Sequence, residues 1–375
     1  MRIARVTATN LHIPVKLDVL DEPKHTQHNF CVVEVETEDG LIGQGMSSIG
    51  PTGVIAHAVN TVAGPAVVVD DPMNHTRIWE KLYWTLAPRG QTGIALHAIA
   101  AIDVALWDLK GRALGQPVCR LLGGARDRCQ VYATFGFGFY DREELAEAAR
   151  RWWARGFTRL KMTVGMGALA RRDEPRPMMD VIREDLARVT AVREAVPEAE
   201  IYLDANCSLD LYHAAKLAAW LEPLKIGFFE EPITGNDFLQ MAELRRRTSI
   251  PLACGQNEGL ASKFRDLFAA GAVDIAQPNV AITGGFTQCQ QIAGMAAAYT
   301  LPVENGGAWP FHNMHLQAGV PNGTMVEYHH PGVACCQRIY RNLPEPADGW
   351  IELPTRPGLG FELDPDAVRD LAVKE

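Results

Sequence analysis

The sequence predicts an α/β protein built on a parallel (β/α)8 barrel, with a further α+β portion ahead of it. Three observations carry this. After Arg126, short apolar runs alternate with helix-period stretches, giving eight strand candidates. Before Arg126 the rhythm differs, with strands first and helices after. And 375 residues exceed what one small core holds, which points to two domains or one large barrel with additions.

In chain order, residues 1 to 50 read as strands. Phe30 to Thr37 and Leu41 to Gly45 flank Glu38-Asp39-Gly40, the pattern of two strands joined by a tight turn. The polar stretch from Asp18 to Asn29, with His25 and His28, reads equally as a lid or as a solvated connection. From Gly53 to Leu122 the pattern is helical. Ile94, His97, Ala98, Ala101, Ile102 and Ala105 recur at helical spacing, and Gly111 and Gly115 mark the end. Asp103 and Asp108 on this helix read as capping and packing support.

The eight barrel strands are expected at 130–137, 159–164, 200–203, 226–229, 250–254, 272–275, 301–303 and 324–326. Helices such as Arg142–Trp153, Leu186–Val196, His213–Trp220 and Thr287–Tyr299 separate them. Met166 to Met179, rich in Gly, Arg and Pro, reads as an unusually long loop after the second strand.

Composition excludes several classes of function. Acids outnumber bases 45 to 36, a net charge of −9, which removes the electrostatic case for nucleic acid or anionic lipid. No apolar run approaches the roughly 18 residues of a membrane span, and the N-terminus lacks a secretory signal core. The eight cysteines show no zinc-like spacing. The expectation is a cytoplasmic enzyme with reduced thiols and a small-molecule substrate.

In such barrels the C-terminal strand ends carry the chemistry. Here they deliver Lys161 and Thr163, Asp204 and Asn206, Glu230, Gln256, Gln277 and Asn279, Glu304 and Asn305, and Glu327. Charges against apolar strand ends are costly unless paired or metal-bound. Asp204, Glu230 and the amide oxygen of Gln256 offer three oxygen ligands, each separated from the next by 26 residues, one βα unit. Oxygen ligands favour Mg²⁺ or Mn²⁺ over zinc.

At these residues the chain resembles the mandelate racemase subgroup of the enolase superfamily. The carriers are Ala101-Ile-Asp103-Val-Ala-Leu-Trp107-Asp108-Leu-Lys-Gly111, Gln116-Pro117, Leu121-Leu122-Gly123-Gly124, Asp204-Ala-Asn206, Glu230-Glu231-Pro232, Gln277-Pro278 and Gly284-Gly285. The resemblance covers nearly the whole chain. It implies a modified TIM barrel of (β/α)7β type at 126–340. An α+β capping domain at 1–125 would carry the specificity loop, with 341–375 returning to it. It further implies a homo-oligomer, dimer or octamer, and abstraction of a proton α to a carboxylate with Mg²⁺ stabilising the enediolate.

The chain departs from the family's pattern at three places. Gln256 stands where a carboxylate ligand is usual, with Glu258 two residues on as a possible source of the missing charge. Thr163 stands at the second-strand base, and a threonine hydroxyl is too weak a base unaided. Asn279 and Gly306 replace the Asp and His of the other base. Lys161 then becomes the leading catalytic candidate, as base or as electrostatic clamp. Glu327 matches the family's electrophilic acid on strand eight. His312 is a further candidate, as are Tyr328 and His329, whereas His315 reads as a packed residue.

Three readings compete: an acid-sugar dehydratase, an epimerase, racemase or lactone isomerase, and a binding homologue without turnover. The substrate of the first would be an aldonate or aldarate. Its carboxylate would lie near Lys161, and Thr163, Asn206, Gln277, Asn279, Glu304, Asn305, His25 and His28 would contact the rest. Arg171, Arg172 and Arg176 on the long loop could reach a second carboxylate, and Trp309 and Phe311 could line the wall.

Overall fold

The computed structural model describes residues 1–86, 93–165 and 177–374. Met166 to Arg176, with Arg171, Arg172 and Arg176, lies outside the described residues.

Strands β1 (Ile3–Leu17), β2 (Lys24–Thr37) and β3 (Ile42–Ser48) form an antiparallel sheet in that order. The stretch expected as a polar loop is shorter than its composition suggests. Lys24 to Asn29 belong to β2 and pair with β1 in the register Ile13 to His28 and Lys16 to His25. Polar residues hide a strand here because His25, Gln27 and Asn29 face solvent at alternate positions.

This sheet lies directly on the helix Ile94–Leu114, which is buried along most of its length. Gly43 and Gly45 on β3 permit the close approach, since a Cβ there would stand 2.1 Å from the Ala105 carbonyl and 2.2 Å from that of Ala101. Gly115, at φ 62°, ends the helix. Asp108 accepts from the backbone N–H of Gln44 (2.9 Å) and Leu359 (2.7 Å), joining β3 to the C-terminal segment. Asp103 accepts from Thr287 N–H at 3.0 Å, in the first turn of the helix Gly285–Ala298. Both aspartates therefore satisfy orphan backbone donors, as a capping role requires.

The second sheet is parallel and curls into the barrel. Its strands are β4 (Arg128–Gly136), β5 (Arg159–Thr163), β6 (Glu200–Asp204), β7 (Ile226–Glu230), β8 (Leu252–Cys254), β9 (Ile275–Ala276) and β10 (Met325–His329), with β10 paired to β4. The seventh strand is reduced to Val303, which bridges Ala276 on one side and Gly323 on the other. Inside the barrel Tyr202 stacks on Phe228 at 4.2 Å, and Tyr132 meets Tyr202 edge-on at 5.4 Å. These rings form an apolar layer at the level of Lys161 and below.

The chain's last part returns to its first. Trp350–Glu352 pairs antiparallel with β4, and Val373 N–H donates to Asn10 O at 2.9 Å. Among the described residues no helix is long and apolar enough to cross a membrane.

Candidate active site

Strand register brings the first residues together. Thr163 pairs with Asp204, and Asp204 with Glu230, so three adjacent strands present these side chains at one level. Lys161 sits one inward-facing position lower. Its Nζ lies 2.7 Å from Glu230 Oε2, 2.9 Å from Glu327 Oε1 and 3.5 Å from Asp204 Oδ2, with the side chain fully buried. One ammonium thus faces three carboxylates away from solvent.

The equal sequence spacing does not place Gln256 at the same level. Glu230 pairs with Ala253, three residues short of Gln256. β8 ends at Cys254, and Gly255, at φ 135°, turns the chain so that Gln256 returns to the cluster. Its Nε2 donates to Glu231 Oε2 at 3.2 Å and Asp204 Oδ2 at 3.4 Å. To act as a ligand its amide must turn to present oxygen in place of Nε2. Glu258 turns to Asn236 Nδ2 at 3.1 Å. The carboxylate standing behind Gln256 is Glu231, buried and held by Asn236 and Asn257.

The electrostatics follow from burial. Burial and the neighbouring Asp204 raise Glu230 well above the ordinary carboxylate range, and burial raises Asp204 against the pull of Lys161. Burial would raise Glu327 too. The Lys161 charge, a hydrogen bond from Ala308 N–H at 2.6 Å and another from Thr134 Oγ1 at 2.6 Å hold it low instead. Burial alone would lower Lys161, but Glu230, Glu327 and Asp204 outweigh it and raise the amine.

Among the described residues, no three His, Cys, Asp or Glu side chains converge as a ready metal cluster. The candidate set is accordingly two carboxylates and an amide. It fits a hard divalent cation on one observation: among the described residues Glu230 Oε1 and Gln277 Oε1 are buried acceptors without a donor, while Gln277 Nε2 donates to Glu230 Oε2 at 3.0 Å. An orphan carboxylate oxygen beside further carboxylates is stabilised by added positive charge, which a hard cation supplies.

A cavity of about 380 Å³ opens on this cluster, lined by Thr163, Asp204, Asn206, Gln256, Glu327 and His329, with Phe137 and Ser208 at its wall and Ile49 from the loop after β3. Thr163 donates to Gly136 O at 3.1 Å. Asn206, at φ 46°, places its backbone N–H 2.8 Å from Asp204 Oδ1.

Other expected residues are placed elsewhere. Asn279 spends its amide on the carbonyls of Gly306 (2.7 Å) and Gly307 (2.9 Å), and Asn305 on Gly306 and Ala308. They hold a run of positive-φ residues, Gly307, Ala308 and Trp309, which aims Ala308 N–H at Glu327. Glu304 is buried, its Oε2 without a partner among the described residues, and burial pushes its carboxyl up to about 7.

His312 packs against Phe361 at 5.0 Å and lies 3.4 Å from the Tyr340 hydroxyl, so the structure does not bring it to the cluster. Its position on the helix Pro310–Gly319 turns it to the core. His315 bridges Cys119 N–H and Leu359 O. Trp309 packs on Phe30, and Phe311 on Phe361. His25 is exposed beside Lys16 and Arg338, outside the cavity. His28 stands behind the cavity wall, 6.3 Å from the His329 ring.

Thr134, Glu231 and Ala308 join the site without a role expected from the sequence. Glu231 had a signal in the Glu-Glu-Pro motif. The Ala308 contact is made by backbone and leaves none.

Residues 2–123 match the family model of the mandelate racemase / muconate lactonizing enzyme N-terminal domain, and residues 144–367 match the enolase C-terminal domain-like model. The chain is 31% identical to a D-galactarolactone cycloisomerase of Agrobacterium fabrum over 99% of this chain and 100% of that one. It is 30% identical to an arabinonate dehydratase of Saccharolobus solfataricus, covering 89% and 88%. Among solved structures it resembles L-talarate dehydratase from Polaromonas sp. JS666, complexed with Mg and L-glucarate. The TM-score is 0.85 and identity 30%, over 100% of this chain and 98% of that one.

Proposed function

Because this chain belongs to the mandelate racemase / muconate lactonizing enzyme group of the enolase superfamily, we propose that it is a Mg²⁺-dependent dehydratase of a polyhydroxylated carboxylic acid, an aldonate or aldarate. The observation that carries this is the buried excess of negative charge beneath the cavity, where Asp204, Glu230 and Glu327 share the Lys161 ammonium and, among the described residues, Glu230 Oε1 has no partner.

Asp204, Glu230 and a turned Gln256 would hold the cation, with Mn²⁺ an acceptable substitute on ligand chemistry. When bound, it supplies positive charge against the negative charge that develops on the substrate's carboxylate as the α-proton leaves. Glu327, ion-paired to Lys161 at 2.9 Å, lines the cavity and would meet the substrate's carboxylate end across the Lys161 ammonium, taking up a proton to act as an electrophilic partner. Asn206 and Thr163 face the cavity and would contact hydroxyl groups, while Gln277 and Asn279 act from beneath by holding Glu230 and the 306–308 loop. Dehydration removes the α-proton and the β-hydroxyl together as water, and the enol product becomes a 2-keto-3-deoxy acid.

Lys161 is the group that would take the α-proton, and in the resting arrangement its three ion pairs hold it protonated as a clamp. With Asp204 and Glu230 engaged by a cation, two of those pairs would weaken and the amine would fall toward the working range. An epimerase needs proton carriers on both faces of the α-carbon. Thr163, donating to Gly136, and Gly306 supply none, and replacing two carriers is harder than replacing one, which argues against that reading. Lactone cycloisomerisation remains the second reading. It begins with the same proton removal, and one relative over nearly the full chain carries that name.

Proton NMR in D₂O with Mg²⁺ and pooled aldonates, aldarates and their lactones tests both. New methylene signals of a deoxy-keto acid from an open-chain acid establish the dehydratase, and ring opening of a lactone establishes the cycloisomerase. Silence in every pool overturns both.

A further inference from the structure

β10 alternates at its end. Glu327 faces the cluster, Tyr328 packs outside against Phe157 at 5.3 Å, and His329 lines the cavity. His329 is also the residue preceding the helix His330–Ile339, where its Nδ1 accepts the backbone N–H of Gly332 at 3.1 Å. Gly332 permits that approach, since a Cβ there would stand 3.2 Å from Nδ1 and 3.1 Å from the Trp309 ring. The His329 ring is wedged edge-on against Phe137 at 5.1 Å.

A neutral imidazole has one donor and one acceptor nitrogen. With Nδ1 engaged as the acceptor, the proton resides on Nε2, and among the described residues Nε2 makes no hydrogen bond. The groups facing the ring are Glu327 on its own strand, His28 on β2, Lys161 on β5 and His330 on the following helix. Burial dominates them and brings His329 down to about 4. A second ring proton would also collide with the Gly332 N–H.

We propose that His329 is a fixed, neutral hydrogen-bond donor of this cavity, offering Nε2–H to a hydroxyl or carboxylate oxygen of the bound acid and taking no part as a base. A neutral donor adds polarity without repelling either Lys161 or a cation at Asp204 and Glu230. This inference rests on the reading of the cavity as an acid-sugar site.

Two substitutions separate the cap from the donor. H329N keeps an oxygen able to cap Gly332 but is too short to replace Nε2–H. Its melting temperature should stay within about 2 °C of the parent, while kcat falls roughly 10²-fold, as for loss of a preorganised donor. H329Q replaces the donor and loses the cap. It should recover kcat to within about tenfold of the parent and melt roughly 1–2 °C lower. An H329N protein with kcat within threefold of the parent overturns the proposal.

Two-bond ¹H–¹⁵N NMR, assigned by difference against H329N, reads the ring without turnover. Nε2–H with no imidazolium from pH 5 to 8, and a shift of that signal when Mg²⁺ and galactarate or galactonate are added, is the expected result. An Nδ1–H tautomer, an imidazolium at pH 6, or a signal unmoved by any acid overturns it. If the parent binds these acids but converts none, the dehydratase reading fails while the donor role is still decided by that shift.

Discussion

Replacing Lys161 by Met tests how the cavity floor is balanced. The methionine fits the volume but leaves Glu230, Glu327 and Asp204, at present 2.7, 2.9 and 3.5 Å from the ammonium, without a counter-charge. Removing one partner of a buried ion pair costs about 3–5 kcal/mol. For a chain of this length the unfolding entropy is roughly 0.8 kcal/mol per degree, so the melting temperature should drop about 4–6 °C.

The sign of the pH dependence follows. Without Lys161, Glu230 and Asp204 rise further above their unfolded values, and Glu327 loses the charge that held it low. A raised carboxyl favours the folded state at low pH and loses that advantage as pH climbs. The deficit should therefore be smallest near pH 5 and grow toward pH 8. Mg²⁺ at about a hundred times its dissociation constant adds about 2.7 kcal/mol to any protein that binds it only when folded. The variant, lacking its own cation, should gain at least as much as the parent.

Thermal unfolding followed by circular dichroism at pH 5, 6.5 and 8, with Mg²⁺ or with chelator, reads all of this. A variant that melts within a degree of the parent at pH 8, or that gains less from Mg²⁺ than the parent, refutes the charge argument. Turnover measured beside it separates the roles of Lys161. Lost turnover with intact acid binding assigns proton transfer, and lost binding assigns the clamp.

Further predictions concern neighbouring groups. Asp204→Asn should weaken Mg²⁺ binding by at least roughly tenfold in calorimetry, and Gln256→Glu should tighten it by a similar factor, since each changes one charge among the ligands. Unchanged binding in Asp204→Asn removes the metal assignment. Glu304, raised from 4.5 to about 7 by burial, should make the parent less stable as pH rises through that window. The effect is on the order of 3 kcal/mol. Glu304→Gln should flatten the curve and be the more stable protein at pH 8, and a variant with the parent's slope between pH 4.5 and 7 contradicts this.

Much of the barrel was legible because its causes are local. Apolar runs bounded by turn residues marked β4 to β8 within a few residues, and helical periodicity marked the long buried helix. Asp204 and Glu230 could be found because a parallel strand aims its last inward side chain at the same end every time. Lys24 to Asn29 were missed as strand because polar residues exposed at alternate positions look like loop. The seventh strand shrank to Val303 because a single bridged residue closes the ring.

The sequence by itself determined the architecture, the family and the residues whose charges had to be matched. What it could not determine was which polar side chains face the cavity. Asn279, Asn305 and His312 are as polar as Asn206 and His329, yet their hydrogen bonds run to carbonyls and core rings. That sorting depends on register at β8, on the positive-φ run at Gly307 to Trp309, and on which backbone groups needed a partner. Each arises from contacts between segments far apart in the chain, which only the folded structure brings together.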